Sequence, residues 1–441
     1  MNLFWLSKLT LRGALMVCAV SFSLLAPKAQ AAPGDLDPSF GALGGFTRTA
    51  TSAPGNISGS MLQDTSGRFW AAGMNALNTS QHQPILVRYL SNGALDGSFG
   101  NAGILTPANS IVPPIGTIRV LRSGSTFYLL CAGASQIDLF ALNASGGAVA
   151  SFGTNGRLTI SVTGAYGLIG AALQGSSIVI AGNDRHPTTN NSDFLLVRVL
   201  SNGTLDPSFG TGGRAWSRVY SGVSAFNRLT DVVIQPDNKI LAVGRMGPNS
   251  SNSNAVVARF LATTGAPDTS FAGTGFSEWS WGGLDRGREI ALQSDGKVVF
   301  AGTSCAFDGS NCQVRVARLQ SNGSLDTSFA NAGLFAGNYN YGSQFNDLMI
   351  DANNRAIAVG TMTMGDGSIL AMVLRLQGNG APDTSFAATG VRRYNFTSYS
   401  GLYQNSATAV MTDSSGIVLA GHIGNTTWSP NAYWLIARVQ P

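Results

Sequence analysis

Three carboxylates, Asp231, Glu289 and Asp347, stand at matching places in successive stretches of this 441-residue chain. Each leads an apolar run: Asp231-Val232-Val233-Ile234, Glu289-Ile290-Ala291-Leu292 and Asp347-Leu348-Met349-Ile350. The corresponding places elsewhere hold Gly59, Ile118 or Arg119, Gly170 and Thr408. Carboxylates that converge on one point can ligate Ca2+ through oxygen, or share protons across a site. The plainer reading is turn capping and loop hydrogen bonding. No Asp-x-Asp-x-Asp-Gly run adds weight to calcium, so no cofactor and no metal are expected, with Ca2+ at these carboxylates as the one candidate.

A second set is aromatic. Trp279 and Trp281 are two residues apart, as are Tyr339 and Tyr341, and Tyr394 and Phe396; Trp216 and Tyr220 are four apart. In an extended strand, residues i and i+2 share a face. These rings would then form a platform on which a sugar or peptide stacks, or they fill wedges between packed sheets. His82, His186 and His422 fall in polar stretches without metal-ligand spacing and read as solvated loop residues. With three histidines and two glutamates in the whole chain, most acid–base chemistry has few candidates. Gly210 to Ala215 matches a dinucleotide fingerprint by letter, but it leads into a strand-like run instead of a helix.

The elements that must position these residues come from a repeat. A Ser-Phe pair recurs with phenylalanines at 40, 99, 152, 209, 271, 329 and 386, and glycine follows four residues after each. Each unit continues with a short extended stretch, a second apolar run into a polar turn, a third run ending in Ala-Gly or Val-Gly, and a fourth run carrying arginine. Short β-branched runs bounded by Gly, Asn, Asp and Ser are strands. Four strands in about 58 residues is the grammar of a propeller blade. The chain stops on a fourth run without its anchor and starts on an anchor without its fourth run. The expected fold is therefore all-β: a seven-bladed β-propeller of four-stranded blades, closed by pairing of the N- and C-terminal segments, with a β-solenoid as the competing layout.

One spacing recurs inside the units. Arg88 lies eight residues before Asp96, Arg198 before Asp206, Arg318 before Asp326 and Arg375 before Asp383. Arg259 and Asp268 are nine apart, Arg438 would meet Asp37 through closure, and the remaining unit has Ala141 and Val149 instead. Both partners are missing together, which argues for a bidentate arginine–carboxylate scaffold contact and against repeated catalytic sites. Variable loops on such a scaffold are where function concentrates; here those are the first–second and third–fourth connections.

The fourth-strand arginine, Asn-Gly, Leu-Asp-x-Ser-Phe-Gly and Asp-Gly-Lys ahead of Ala-Gly resemble the delta-60 repeat family. The pattern is clearest over Leu86 to Gly103, Val197 to Gly213 and Leu292 to Gly302. The resemblance spans residues 34–441 and implies a bacterial, exported, propeller-type protein of unassigned activity. It carries no catalytic or binding residue over to this chain.

Residues 1–31 read as a cleaved signal peptide. Lys8 and Arg12 precede an apolar stretch, and Ala29-Gln30-Ala31 is a small-x-small cleavage site. Residues 32–441 then form one propeller domain, secreted or periplasmic. The whole chain has net charge +5, and loss of Lys8, Arg12 and Lys28 leaves +2. No basic run remains to suggest nucleic acid, and no long apolar run to suggest a membrane span. Outside the cytoplasm, Cys305 and Cys312 can close as a local disulfide, while Cys131 reads as a buried inert thiol. The expected function is an exported, monomeric, non-catalytic binding propeller that uses its variable loops for a glycan, peptide or envelope protein. The alternative is a metal-assisted hydrolase or lyase with its carboxylates at a central channel.

Overall fold

The computed structural model describes residues 31–441 apart from 51–56, 79–80, 108–109, 111, 113–114, 134, 164–167, 187–190, 221–225, 340, 397–403 and 425–432. The leader, and most of the variable connections, lie outside the described residues. Everything regular within them is strand, and no helix is long and apolar enough to cross a membrane.

The strands assemble in fours. Ile57–Gln63, Phe69–Ala76, His82–Tyr89 and Ile104–Leu105 follow one another across a single antiparallel sheet, and the pattern repeats along the chain. Two pairs of such sheets are joined by single parallel residue pairs, Ser192 with Phe226 and Ile369 with Gln404. No sheet closes on itself among the described residues. The sheets meet through apolar faces; Trp70, for example, stacks on Phe127 of the next sheet with ring centroids 3.9 Å apart.

One sequence expectation is corrected. The short stretch after each anchor is not the first strand of its own sheet but the outermost strand of the preceding one. Ile104–Leu105 pairs with His82–Tyr89, and Arg214–Ser217 pairs with Ser192–Val199. The anchor loop folds the chain straight back against the fourth strand, so adjacency in sequence wins over a fresh start. By the same rule Phe46–Thr49 pairs with Tyr433–Val439 from the other end of the chain, Phe46 opposite Ala437 and Thr49 opposite Trp434.

The anchors explain why this fold-back is fixed. Their phenylalanines, Phe40 to Phe386, are at most 1% exposed. The glycine four residues later has positive φ in every copy, from +66° at Gly44 to +97° at Gly333. A Cβ on Gly333 would come within 2.6 Å of Leu325, so a side chain is barred there by both conformation and space.

The arginine at the end of the fourth strand ties the loop down. Arg88 Nε donates to Asp96 Oδ2 at 2.7 Å, Arg198 to Asp206 at 2.7 Å, Arg259 to Asp268 at 2.8 Å, Arg318 to Asp326 at 2.8 Å and Arg375 to Asp383 at 2.8 Å. The expected bidentate fork is not formed. The second carboxylate oxygen accepts instead from the serine two residues on, through both backbone N–H and hydroxyl, as Ser385 does to Asp383 Oδ1 at 2.6 Å. The rest of the guanidinium lies over the anchor ring, 4.3 Å from Phe99 and 4.6 Å from Phe386. It also reaches the following unit: Arg88 to Ala144 O at 2.9 Å, and Arg198 to Ala262 O at 2.6 Å. Arg438 differs, standing 3.5 Å from Asp37 and bonding Asp413 and Ser91 O as well. Where Ala141 and Val149 replace the pair, Arg157 bonds Asp138 at 2.8 Å.

Candidate binding site at the inner strands

Each sheet turns one strand toward a common cavity: Ile57–Gln63, Ile115–Ser123, Leu168–Gln174, Phe226–Ile234, Leu284–Leu292, Ser343–Ile350 and Gln404–Asp413. Every one of these strands slips by one residue against its neighbour. The extra residues are Gly59, Gly116, Ile169, Thr230, Arg288, Asn346 and Thr408. All seven line a cavity of about 360 Å3. A bulge leaves its residue outside the ladder and re-aims its side chain, which is why bulges collect at sites.

The slip also corrects the sequence alignment. The residues paired like Asp231 with Val243 are Ser60, Thr117, Gly170, Glu289, Asp347 and Ala409. Gly59 and Thr408 are therefore bulge residues, one place off.

The three carboxylates come together around a cation that the sequence did not single out. Arg119 Nη2 stands 3.7 Å from Glu289 Oε1 and its Nη1 donates to Gly59 O at 3.1 Å. Burial alone would weaken its hold on its proton, but the charges of Glu289, Asp231 and Asp347 raise its pKa. Asp231 and Glu289 lie close enough for each to act on the other. Burial raises both, most strongly Glu289, where the Asp231 charge adds to it. Burial likewise pushes Asp347 up to about 6.

The oxygens are already engaged. Asp231 Oδ2 accepts from Ile290 N at 3.1 Å; Asp347 accepts from Val410 N at 2.7 Å and Leu348 N at 2.9 Å. The bonds to Ile290 and Val410 cross from one four-stranded unit to the next. With Arg119 supplying the positive charge and backbone amides the hydrogen bonds, this is not the free oxygen cage that Ca2+ requires. Among the described residues, no group of three or more His, Cys, Asp or Glu is placed to hold a metal.

Above the carboxylates the lining turns basic. Arg228, Arg245, Arg286 and Arg288 join Arg119 around the cavity, and Glu289 is the one acidic group on its wall. Arg228 and Arg245 are register partners on adjacent strands. A sequence signal existed: 228 and 230, or 286 and 288, share a face by the two-residue period. Without the bulges, the face could not be identified as the inner one.

The aromatic residues do not gather at this cavity. Trp216, Trp279 and Tyr394 lie on outermost strands, with Trp281, Tyr339 and Tyr341 just beyond such strands. Trp279 and Trp281 both pack on Phe300, at 6.5 and 6.0 Å, and Trp216 meets His186 edge-on at 5.8 Å. Tyr339 is half-buried against the neighbouring sheet, and Tyr394 is buried with its hydroxyl donating to Gly34 O at 2.6 Å. Tyr341 alone is well exposed, at 60%. The stacking platform is thus dispersed into inter-sheet packing.

His82 and His422 depart from expectation too. Both sit in strands and are buried, and burial lowers His422 to about 4. Cys305 and Cys312 are bonded, S–S 1.99 Å, and Cys131 is a buried free thiol.

Three stretches of the chain, 177–209, 235–271 and 293–329, match a family described as "Domain of unknown function (DUF5122) beta-propeller". Each begins near a third strand and ends at or close to an anchor phenylalanine, so the matched unit is the repeat itself. These three stretches are thereby similar to a β-propeller repeat family. No curated protein matches it. Among solved structures it resembles a catalytically inactive virginiamycin B lyase from Staphylococcus aureus with quinupristin, at 9% identity and TM-score 0.46 over 89% of this chain and 99% of that one. A Dyadobacter fermentans protein of unknown function gives 10% and 0.45, over 90% and 100%. The β-propeller domain of the Trilobed protease from Pyrococcus furiosus, with open velcro topology, gives 6% and 0.41, over 86% and 95%. Likeness at this level assigns no activity.

Proposed function

We propose that this chain is an exported, non-catalytic binding propeller that takes its ligand at the cavity lined by the bulge residues. In this reading residues 1–31 are removed on the way to the periplasm or the exterior. Seven blades form one ring, which the pairing of Phe46–Thr49 with Tyr433–Val439 and the packing of Gln404–Asp413 against Ile57–Gln63 support. The repeats are assigned to the delta-60 family. One observation carries the binding role: seven separate strands each break their ladder at a residue lining one small cavity, five of them with a side chain. A volume of about 360 Å3 lies within the range of small-molecule sites.

The enzyme reading rests on Glu289, a carboxyl on the cavity wall whose pKa burial raises. It is the weaker one, because its neighbours Asp231 and Asp347 spend oxygens on backbone amides and no free base faces Glu289.

The test is thermal melting of the processed chain purified from the periplasm or medium, with calcium, with chelator, and with a panel of small glycans and peptides. A ligand that binds only the folded state raises the transition. A rise with a panel member, and none with calcium, is the expected result. A fall with chelator would overturn the non-catalytic reading in favour of the metal-assisted one. An unprocessed chain retained in the cytoplasm would overturn export.

A further inference from the structure

The lining of the cavity specifies more than its size. Among the described residues, five guanidiniums, Arg119, Arg228, Arg245, Arg286 and Arg288, line the cavity with one carboxyl, Glu289. Arg119 is neutralised by that group at 3.7 Å. Arg286 and Arg288 have no partner so close, although the Glu289 charge also acts on Arg288. Neither forms an ion pair among the described residues, and the Nε of each is buried without a hydrogen-bond partner. Arg288 reaches a single acceptor, Gln344 Oε1 at 3.5 Å. The two are close enough to repel, and burial together with that repulsion weakens the hold of Arg288 on its proton. Like charges confined in a partly desolvated pocket cost stability, and a protein keeps such an arrangement where a counter-charge arrives from outside.

We propose that this cavity binds a small polyanion, a molecule with two or more carboxylate or phosphate groups, held principally by Arg286 and Arg288 with Arg228 and Arg245 beside them. The inference rests on the binding reading above and names the class of its ligand. Guanidinium suits this ligand because its planar fork matches the two oxygens of a carboxylate or phosphate. The enclosed volume admits a small acid or acidic sugar and excludes a polymer lying lengthwise. Arg228 lies three residues before Asp231 on its strand, and Arg288 directly precedes Glu289.

Isothermal titration calorimetry of the purified chain tests this with citrate, inorganic pyrophosphate and glucose. Citrate or pyrophosphate should bind and glucose should not, with affinity falling as salt rises. Preference for citrate points to a carboxylate ligand, preference for pyrophosphate to a phosphorylated one. Arg286→Gln and Arg288→Gln should each weaken binding by about tenfold or more. Arg393→Gln, exposed on an outer strand, should leave it unchanged. Without ligand, Arg288→Gln should melt higher than the parent because it relieves the repulsion. A merely structural role would lower the melting temperature and would overturn the proposal. So would anion binding that survives both substitutions. If a neutral glycan binds and neither anion does, this inference falls while the binding reading stands; if nothing binds, both fall.

Discussion

The arginine–aspartate pairs under the anchor phenylalanines and the arginine–carboxylate group in the cavity use the same side chains and push their carboxyls in opposite directions. At an anchor, one carboxylate meets one guanidinium, a serine hydroxyl and a serine N–H. Asp326 shows the result: burial would raise its pKa, but Ser328, Arg318 and Lys297 outweigh it and bring it to about 2. In the cavity, three carboxyls share Arg119, and two of them lean on each other. Burial then dominates, and Asp347 stands at about 6. Depth and stoichiometry together separate a scaffold contact from a site that invites a further charge.

Breaking an anchor should have the largest effect. Arg375 is 1% exposed, bonds Asp383 and covers Phe386, so Arg375→Ala strips a buried aspartate of its closest cation and leaves Arg355 at 3.6 Å. A loss of about 3–5 kcal/mol is expected by denaturant unfolding, against about 0.5 kcal/mol or less for exposed Arg393→Ala. Equal losses from the two would dissolve the distinction between scaffold and surface.

Titration sharpens the contrast, because its sign differs between the regions. Asp326 has a depressed folded pKa. Its contribution is present above the unfolded value near 3.8 and is lost as pH falls toward 2, on the order of 1–2 kcal/mol. Asp326→Asn should remove that acid-limb slope from a plot of unfolding free energy against pH. Asp347 has a raised folded pKa, so its contribution is full below 3.8 and is lost as pH climbs through 6. Asp347→Asn should abolish this opposite slope, about 3 kcal/mol across the interval. A parent slope of the same sign in both windows would break the comparison.

The smallest test trims an anchor without breaking it. Ser385→Ala removes one hydrogen bond to Asp383 Oδ1 and keeps the backbone N–H and Arg375, at a cost of about 0.5–1.5 kcal/mol in thermal melts.

The anchors were legible in the sequence because their partners keep a spacing of eight or nine residues and disappear together at Ala141 and Val149. The convergence of Asp231, Glu289 and Asp347 was legible from alignment on the second run. The arginines around them were not. A bulge inserts one residue into a two-residue period, so face assignment fails just where Arg288 and Thr230 turn inward. Trp216 and Trp279 were placed on the wrong strand of the wrong sheet for a related reason. Sequence order cannot show that the stretch after an anchor folds back onto the strand before it. His82 and His422 were read as solvated from their polar neighbours, although strand pairing buries both.

The bulges have one more consequence. A residue outside the ladder can change type without disturbing strand register, and glycine, isoleucine, threonine, arginine and asparagine already occupy these places. The lining therefore behaves like a short word spelled one letter per repeat. Selection, or a combinatorial library, can rewrite that word while the arginine–aspartate scaffold beneath it stays the same.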